Sequence, residues 1–184
     1  MGKETAKDKL RKDIFRQKKE FTPLDLQNKS AEVFSVLEIT GTFQDAQNIF
    51  IYNSLSDEVS TLDFINRWAK EKQFFLPVVT GNDLQFVKYE ADKKFVVSDY
   101  GIKEPEGKAF VEYDKIDMII VPGVAFDRKL NRMGRGKGYY DRFLPKLKAL
   151  KVGVCFDFQL LNSIPFDKND VKMDMIVSEN DLIW

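Results

Sequence analysis

The residues with the clearest chemical potential lie in residues 121–141, which read V-P-G-V-A-F-D-R-K-L-N-R-M-G-R-G-K-G-Y-Y-D. The cations of this stretch are Arg128, Lys129, Arg132, Arg135 and Lys137, and the last two alternate with Gly134, Gly136 and Gly138. Glycine lets the backbone reach positive φ and lets a ligand approach the main chain closely. The stretch therefore predicts a loop that holds an anion, most simply a phosphate group.

Arg135 and Lys137 lie within the glycine run, so they supply positive charge where the anion is expected. Backbone N–H groups of residues 134–138 are expected to form an anion-binding nest, assisted by the start of the following helix. These residues predict a phosphate-binding site.

The counts of histidine and cysteine exclude several classes of site. The 184 residues include no histidine, which excludes histidine acid–base catalysis, Ser-His-Asp and Cys-His pairs, and ordinary zinc sites. The single cysteine, Cys155, cannot form an intrachain disulfide and fits a reducing compartment. The chain shows no membrane-length apolar run and no signal-peptide pattern, so we expect a cytoplasmic protein that contacts no membrane.

The formal net charge is zero, from 29 Lys+Arg and 29 Asp+Glu. A dedicated nucleic-acid-binding protein is more often strongly basic. Local basic patches on a neutral chain favour a small anionic ligand over a long polyanion. We therefore expect small-molecule partners and no nucleic acid.

Two familiar phosphate-binding loops do not fit the glycine run. A P-loop needs glycine five residues before its Gly-Lys pair and Ser or Thr after the lysine, but Asn131 and Gly138 stand there. A dinucleotide or kinase G-x-G-x-x-G pattern needs glycine where Tyr139 stands. The loop is therefore of another kind.

The elements that must position this loop alternate between strands and helices. Strands are predicted at residues 49–52, 74–79, 84–89, 117–121, 151–156 and 173–177, with Pro77 marking an edge or a strand end. Helices are predicted at residues 4–19, from Thr22-Pro23 to Gly41, after a cap at Ser60 or Thr61, and at residues 139–150, where Pro145 kinks or shortens the helix. Residues 90–116 are predicted to be a long loop with at most a short strand at 95–97.

This alternation predicts parallel βαβ units in a three-layer α/β/α sandwich with a mostly parallel sheet. A length of 184 residues favours a single domain, residues 1–184. Ligands of such sheets bind beyond the carboxyl ends of the strands. The loops that begin at Asn53 and Pro122 are therefore expected on the same rim.

Residues 131–141, N-R-M-G-R-G-K-G-Y-Y-D, and the preceding V-P-G-V-A-F-D closely resemble the signature of the 5-formyltetrahydrofolate cyclo-ligase family. Other landmarks agree: Lys7 and Arg11 in the first helix, Asp57-Glu58 after the first strand, and N-D-V-K-M-D at residues 169–174. The resemblance spans nearly the whole chain and is weakest at residues 82–116. It implies the sheet-and-helix scaffold shared with sugar-phosphate isomerases and CoA transferases.

The resemblance also implies a reaction, in which 5-formyltetrahydrofolate and ATP become 5,10-methenyltetrahydrofolate, ADP and phosphate. A formamide carbon is a poor electrophile with a poor leaving group. Phosphorylation of the formyl oxygen would create a phosphate leaving group, and N10 would then attack the carbon and close the ring. Mg²⁺ is the implied cofactor and ATP the co-substrate, and we expect a monomer.

Site residues follow from the same resemblance. The implied ATP-binding residues are Lys7, Arg11, Arg132, Met133, Gly134, Arg135, Gly136, Lys137, Gly138, Tyr139 and Tyr140. The implied folate-binding residues are Asn53, Glu58, Arg135, Gly136, Lys137, Gly138 and Tyr139, with Glu58 accepting hydrogen bonds from the amino-pyrimidine edge of the pterin. The implied Mg²⁺ ligands are Asp141 and Asp174, and Lys137 and Arg135 would be catalytic.

Simpler interpretations exist for several of these residues. Lys7 and Arg11 would also suit a solvated helix face. Asp174 would also suit a strand residue that faces solvent, and Asp141 a charge that favours a helix start. At the level of function, the alternatives are a non-catalytic nucleotide- or RNA-binding module, and an isomerase or CoA transferase on a related scaffold.

Overall fold

The computed structural model describes residues 4–92, 95–97 and 103–184. Its α-helices are α1 (Ala6–Lys18), α2 (Pro23–Glu38), α3 (Gly41–Asp45), α4 (Leu62–Trp68) and α5 (Tyr139–Phe143). Its strands are β1 (Asn48–Ile51), β2 (Gln73–Thr80), β3 (Asp83–Lys88), β4 (Phe95–Val97), β5 (Lys103–Pro105), β6 (Met118–Pro122), β7 (Ala125–Asp127), β8 (Arg132–Met133), β9 (Leu150–Val154), β10 (Leu160–Leu161), β11 (Met175–Val177) and β12 (Leu182–Ile183). Short 3₁₀ helices occupy Tyr113–Lys115, Leu144–Lys146 and Asp157–Gln159.

The central sheet has seven strands in the order β12-β11-β9-β6-β1-β2-β3. The five inner strands, from β11 to β2, run parallel, and only β3 and β12 at the edges are antiparallel. The strand that leads into the glycine run, β6, lies in the middle of the sheet. The predicted α/β fold with a mostly parallel sheet is confirmed.

Helices and loops cover the two faces of the sheet unequally. One face packs against the apolar sides of α2, α3 and α4, whose buried residues include Val33, Phe34, Leu37, Phe43, Phe64 and Ile65. The other face is covered by α5, by the 3₁₀ helix after it and by Phe126 of β7. The second layer is therefore thin, because α5, its only α-helix among the described residues, has five residues.

Helix boundaries follow the local signals where these are strong. Thr22 caps α2 through a reciprocal pair of hydrogen bonds with Asp25, and Pro23 takes the first turn. Thr61 precedes α4 as expected, but its hydroxyl donates to the carbonyl of Tyr52 at 3.0 Å and makes no cap. Gly41 does not simply stop α2, because it begins the short helix α3.

The predicted helix at residues 139–150 is wrong in length. The chain makes one turn of α-helix, continues as a 3₁₀ helix around Pro145, and enters β9 at Leu150. Proline lacks the N–H that a longer helix needs and clashes with the preceding turn. The short strand at β4 was predicted, whereas its partner β5 was not.

Pro77 lies inside β2 and not at its end, in a part of the strand that β1 does not reach. The register pairs β1 with β2 only as far as Phe75, while β3 follows β2 to Thr80. Proline is tolerated there because no ladder bond to β1 is required. The β2–β3 hairpin consequently projects beyond the carboxyl end of β1.

A small second sheet, β10-β7-β8, stands beyond the carboxyl end of β6, and α1 packs on it. Ile14 of α1 is buried against Val124, Ala125 and Met133.

No helix in the described part of the chain combines the length and apolarity that crossing a membrane requires.

Candidate active site

The glycine-rich ribbon, defined here as residues 134–138, connects β8 to α5. Gly136 and Gly138 adopt φ values of +99° and +68°, which side chains other than glycine rarely allow. A Cβ atom on Gly136 would also lie 3.5 Å from the guanidinium of Arg11. The expectation of backbone freedom is therefore met at two of the three glycines.

Arg132 connects the ribbon to the central sheet. Its guanidinium is buried and donates to the carbonyl of Pro122 at 3.1 Å and to Asp141 Oδ1 at 2.9 Å. It also lies over the ring of Tyr140. One side chain thus joins the start of β8 to the end of β6 and to the first turn of α5.

Helix α1 supplies cations to one side of the ribbon. Arg11 Nε donates to the carbonyl of Gly134 at 3.0 Å. Lys7 Nζ lies 2.6 Å from Asp167 and 2.5 Å from Asp170. Burial alone would lower the pKa of Lys7, but the bonds to these two carboxylates outweigh it and raise the pKa. Lys7 and Arg11 therefore bind other parts of the chain and do not simply form a solvated face of α1.

Arg135 is held by the loop that follows β1. Its Nε donates to Glu58 Oε1 at 3.0 Å and its Nη2 donates to Asp57 Oδ1 at 2.5 Å. The second oxygen of Glu58 accepts the backbone N–H of Leu55 at 3.0 Å. The arginine in the middle of the ribbon thus fixes the polar loop predicted after the first strand.

Lys18, at the end of α1, supports the same loop from the protein interior. Its ammonium is buried and donates to the carbonyl oxygen of Asp57 at 2.5 Å, with Asp57 Oδ2 at 3.3 Å. Burial lowers the pKa of Lys18, against the raising effect of the Asp57 charge. Helix α1 therefore contacts both the ribbon and the loop that holds Arg135.

Arg142 ties the end of the ribbon to the β2–β3 hairpin. Its Nε and Nη2 donate to the carbonyl of Asn82, and its Nη1 donates to the carbonyl of Lys137 at 3.1 Å. Gly138 allows this approach, because a Cβ atom there would lie 2.7 Å from Nη1. The hairpin and the ribbon are thereby held as two walls of one cavity.

A polar cavity of about 530 Å³ lies on the α1 side of the ribbon. It is lined by Lys7, Arg11, Met133, Gly134, Gly136, Gly138, Asp141, Arg142, Asp167, Asn169 and Asp170. Cations from α1 face it on one side and backbone of the ribbon on the other. The carboxylates of Asp141, Asp167 and Asp170 also line the cavity, so it carries charges of both signs.

A second, mainly apolar cavity of about 320 Å³ lies on the opposite side of the ribbon. It is lined by Tyr52, Asn53, Leu55, Glu58, Pro77, Val79, Leu84, Glu104, Pro122, Gly123, Arg132, residues 134–138, Tyr139, Tyr140 and Asp141. Apolar walls with a few convergent polar groups are typical of sites for organic ligands. Gly134, Gly136, Gly138 and Asp141 border both cavities, so the ribbon is their common wall.

The structure brings together all but one of the residues that the sequence nominated. The apolar cavity alone is bordered by Asn53, Glu58, Arg132, Arg135, Lys137, Tyr139 and Tyr140, the polar cavity alone by Lys7, Arg11 and Met133, and both by Gly134, Gly136, Gly138 and Asp141. Arg128 and Lys129, counted as loop cations, are exposed and border neither cavity. Arg128 pairs with Asp181.

Asp174 is the exception, because it lies at the opposite end of the sheet from Asp141. Its Oδ2 accepts the backbone N–H of Lys151 at 2.8 Å, next to Leu150, which pairs with Met118 at the start of β6. Asp141 is instead linked through Arg132 to the last residue of β6. The five-residue strand β6 separates these ends by about 13 Å. The structure therefore does not support a shared metal site for Asp141 and Asp174.

Sequence reasoning did not single out Lys18, Glu104 or Arg142. Lys18 and Arg142 occur among many other surface-type charges, and their partners are backbone carbonyls distant in sequence. Glu104 lies in the segment that was predicted to be a loop. Residues 103–108, K-E-P-E-G-K, show no alternation of apolar and polar residues, so the local sequence does not predict β5.

The fold and the site define an α/β protein in which a glycine ribbon separates a polar cavity, lined by cations and carboxylates, from an apolar one. A sequence profile of the 5-formyltetrahydrofolate cyclo-ligase family matches residues 3–179. A probable 5-formyltetrahydrofolate cyclo-ligase of Schizosaccharomyces pombe is 34% identical over 157 residues, which cover 74% of this chain and 77% of that protein. The 5-formyltetrahydrofolate cyclo-ligase of Haemophilus influenzae is 33% identical over 144 residues, covering 73% of this chain and 77% of that protein.

The NMR structure of the 5,10-methenyltetrahydrofolate synthetase of Aquifex aeolicus superimposes with a TM-score of 0.87 at 34% identity, covering 97% of this chain and 92% of that one. The chain belongs to the 5-formyltetrahydrofolate cyclo-ligase family. It is therefore an enzyme of the ligase class. This assignment decides against the isomerase, CoA transferase and non-catalytic alternatives.

Replacing Lys18 with methionine should lower the free energy of unfolding by about 1–3 kcal/mol, because the partly buried carbonyl and carboxylate of Asp57 would lose a charged donor. The measurement is urea unfolding followed by circular dichroism. Lys12→Met on the same helix is the control, since Lys12 is exposed and pairs only with Glu4 among the described residues. Equal unfolding curves for Lys18→Met and Lys12→Met would contradict the role of Lys18.

Proposed function

We propose that this protein catalyses the ATP- and Mg²⁺-dependent cyclisation of 5-formyltetrahydrofolate to 5,10-methenyltetrahydrofolate, with release of ADP and phosphate through a phosphorylated formyl group. Family membership supports the overall conversion. The finer points, which are ATP as phosphoryl donor, the phosphorylated intermediate and Mg²⁺, rest on the arguments below.

The observation that carries the proposal is the wall shared by the two cavities. The polar cavity is bordered by Lys7 and Arg11 and suits the phosphates of ATP. The apolar cavity suits the ring system of a folate. Glycine residues at the common wall let two bound molecules approach the same backbone from opposite sides. The formyl oxygen and the terminal phosphate would meet where the two cavities adjoin, beside Gly134, Gly136, Gly138 and Asp141.

Phosphorylation solves the chemical difficulty of the reaction. The formyl oxygen of the folate attacks the terminal phosphorus of ATP, ADP departs, and the carbon gains a phosphate as its leaving group. Attack by N10 on this carbon then closes the ring, and phosphate carries away the original formyl oxygen. The protein contributes orientation and compensating charge, and neither step requires a histidine.

Lys137 is best placed to stabilise the group in transfer. It is exposed, borders the apolar cavity, and makes no ion pair within the part of the chain that is described. Arg135, the other candidate, is already bonded to Asp57 and Glu58. We therefore assign the stabilisation of charge on the phosphoryl group to Lys137. Arg135 instead connects the ribbon to the loop on the folate side of the site.

Asp141 fits a role as a Mg²⁺ ligand and Asp174 does not. Mg²⁺ usually takes one or two protein carboxylates together with phosphate oxygens and water. Asp141 borders both cavities, and its carboxylate is oriented through Oδ1 by Arg132. When bound, the ion would neutralise charge on the ATP phosphates. Asp174 is excluded by its position at the opposite end of the sheet.

The direct test mixes the purified protein with 5-formyltetrahydrofolate, ATP and Mg²⁺ and follows the absorbance of the methenyl product. Product should form only when all three are present, and one ADP should appear for each methenyl group. Product without ATP, or ATP hydrolysis that does not depend on folate, would contradict the proposal.

Replacing Lys137 with alanine should lower kcat about 10²–10³-fold, the typical loss for one preorganised donor to a transition-state charge. Thermal stability should not change, because the side chain is exposed. Lys129→Ala is the matched control, as Lys129 is an exposed lysine outside both cavities. Near-normal turnover of Lys137→Ala would sink the role given to this residue.

Replacing Asp141 with asparagine should raise the Mg²⁺ concentration needed for half-maximal rate at least tenfold, because a neutral amide is a weak ligand for a hard cation. The amide oxygen can still accept the bond from Arg132. Asp174→Asn should leave the Mg²⁺ requirement unchanged. The rates of both variants would be measured as a function of Mg²⁺ concentration. Equal increases in the concentration needed for half-maximal rate would refute Asp141 as the metal ligand.

A further inference from the structure

The apolar cavity is bordered by three described carboxylates, and they differ in what neutralises them. Asp141 faces Arg132, and Glu58 faces Arg135. Glu104 makes no ion pair with any described residue. Its one hydrogen bond in the described part of the chain is from the backbone N–H of Val79 to Oε1, at 3.3 Å.

Both oxygens of Glu58 already have protein partners. Oε1 accepts from Arg135 Nε and Oε2 from the backbone of Leu55, each at 3.0 Å. Its side chain is only 10% exposed. Glu58 therefore stabilises the loop and Arg135, and a ligand would have to compete with these bonds to reach it. This weakens the expectation that Glu58 is the main acceptor for the pterin.

Glu104 lies on the wall of the cavity that the β2–β3 hairpin and β5 form. Because β2 continues past the end of β1, Val79 has no strand partner on that side, and the carboxylate of Glu104 takes its N–H. Pro77, Val79 and Leu84 surround this position with apolar surface. An acceptor on an apolar wall is suited to the edge of a flat ring whose faces are apolar.

We propose that Glu104 recognises the pterin of the substrate by accepting hydrogen bonds from the ring N–H and the 2-amino group of its amino-pyrimidine edge. A carboxylate offers two oxygens to two adjacent donors, which is the geometry of a bidentate pair. The ligand's donors would satisfy a charge that no described side chain compensates. This inference rests on the function proposed above and assigns a recognition residue to it.

Equilibrium binding in the absence of ATP tests the proposal without turnover. Calorimetry would compare two ligands: 5-formyltetrahydrofolate, and its analogue with a methyl group in place of the 2-amino group. The proteins are the unchanged chain, Glu104→Gln, and Glu106→Gln. Glu106 is an exposed carboxylate two residues away, so its variant controls for the loss of charge. Glu104→Asp is a second variant, in which the charge is retained but withdrawn from the ligand.

The unchanged chain and Glu106→Gln should bind 5-formyltetrahydrofolate about 10- to 100-fold more tightly than the methyl analogue, as expected for a bond to a charged acceptor. Glu104→Gln should lose most of this preference, because its amide presents a donor to the ligand's donor. Glu104→Asp should lose part of it. In the turnover assay, KM for the folate should rise while KM for ATP stays unchanged.

Two results would overturn the role of Glu104 alone: unchanged folate binding by Glu104→Gln, or equal losses for both ligands. A rise of KM for ATP in the same proportion would also count against it, since it would indicate a general disturbance of the site. If the unchanged chain itself failed to bind 5-formyltetrahydrofolate, both the proposed function and the role of Glu104 would fall.

Discussion

The buried guanidinium of Arg132 is the contact on which the site depends. It donates to the carbonyl of the last residue of β6 and to the carboxylate of Asp141 in the first turn of α5. The glycine-rich ribbon lies between these two elements along the chain. A buried cation must be compensated, and removing one partner of such a pair typically costs about 3–5 kcal/mol. The two ends of a long excursion from the sheet are therefore fixed relative to each other, although the ribbon itself contains flexible glycine.

Three other elements of the structure contact the ribbon that Arg132 holds in place. Helix α1 reaches it through Arg11, the loop after β1 through Glu58, and the β2–β3 hairpin through Arg142. These three elements come from distant parts of the chain and meet beyond the carboxyl ends of the parallel strands. Each contact uses a cation and an oxygen, so the walls of both cavities are positioned by polar bonds above an apolar core.

Most cations around the ribbon are thus already paired with protein oxygens. Lys7 faces Asp167 and Asp170, and Arg135 faces Asp57 and Glu58. Counting positive charges along the sequence therefore overstates the charge available to a phosphate. Among the described cations that border the two cavities, Lys137 and Arg142 make no ion pair with a carboxylate, and Arg142 is bonded to the carbonyls of Asn82 and Lys137.

Local sequence signals predicted the central strand, the capped start of α2 and the glycine ribbon. These depend on local chemistry: an apolar run at Met118, Ile119 and Ile120, a Thr-Pro start, and the low cost of positive φ for glycine. Family resemblance added most of the residues that border the cavities. Pro145 by itself indicates that α5 is short, and the predicted helix at residues 139–150 gave this proline too little weight.

Which side chains meet at the site depends on how the distant parts of the chain pack in the fold. The fold buried Arg132, turned Arg135 towards Glu58, brought Glu104 from an unremarkable segment to the apolar cavity, and placed Asp174 at the wrong end of the sheet for a metal shared with Asp141. Residue type and spacing do not specify such partners, because the partners lie tens of residues apart. Their distances follow from strand order, register and the end of the sheet at which each loop emerges.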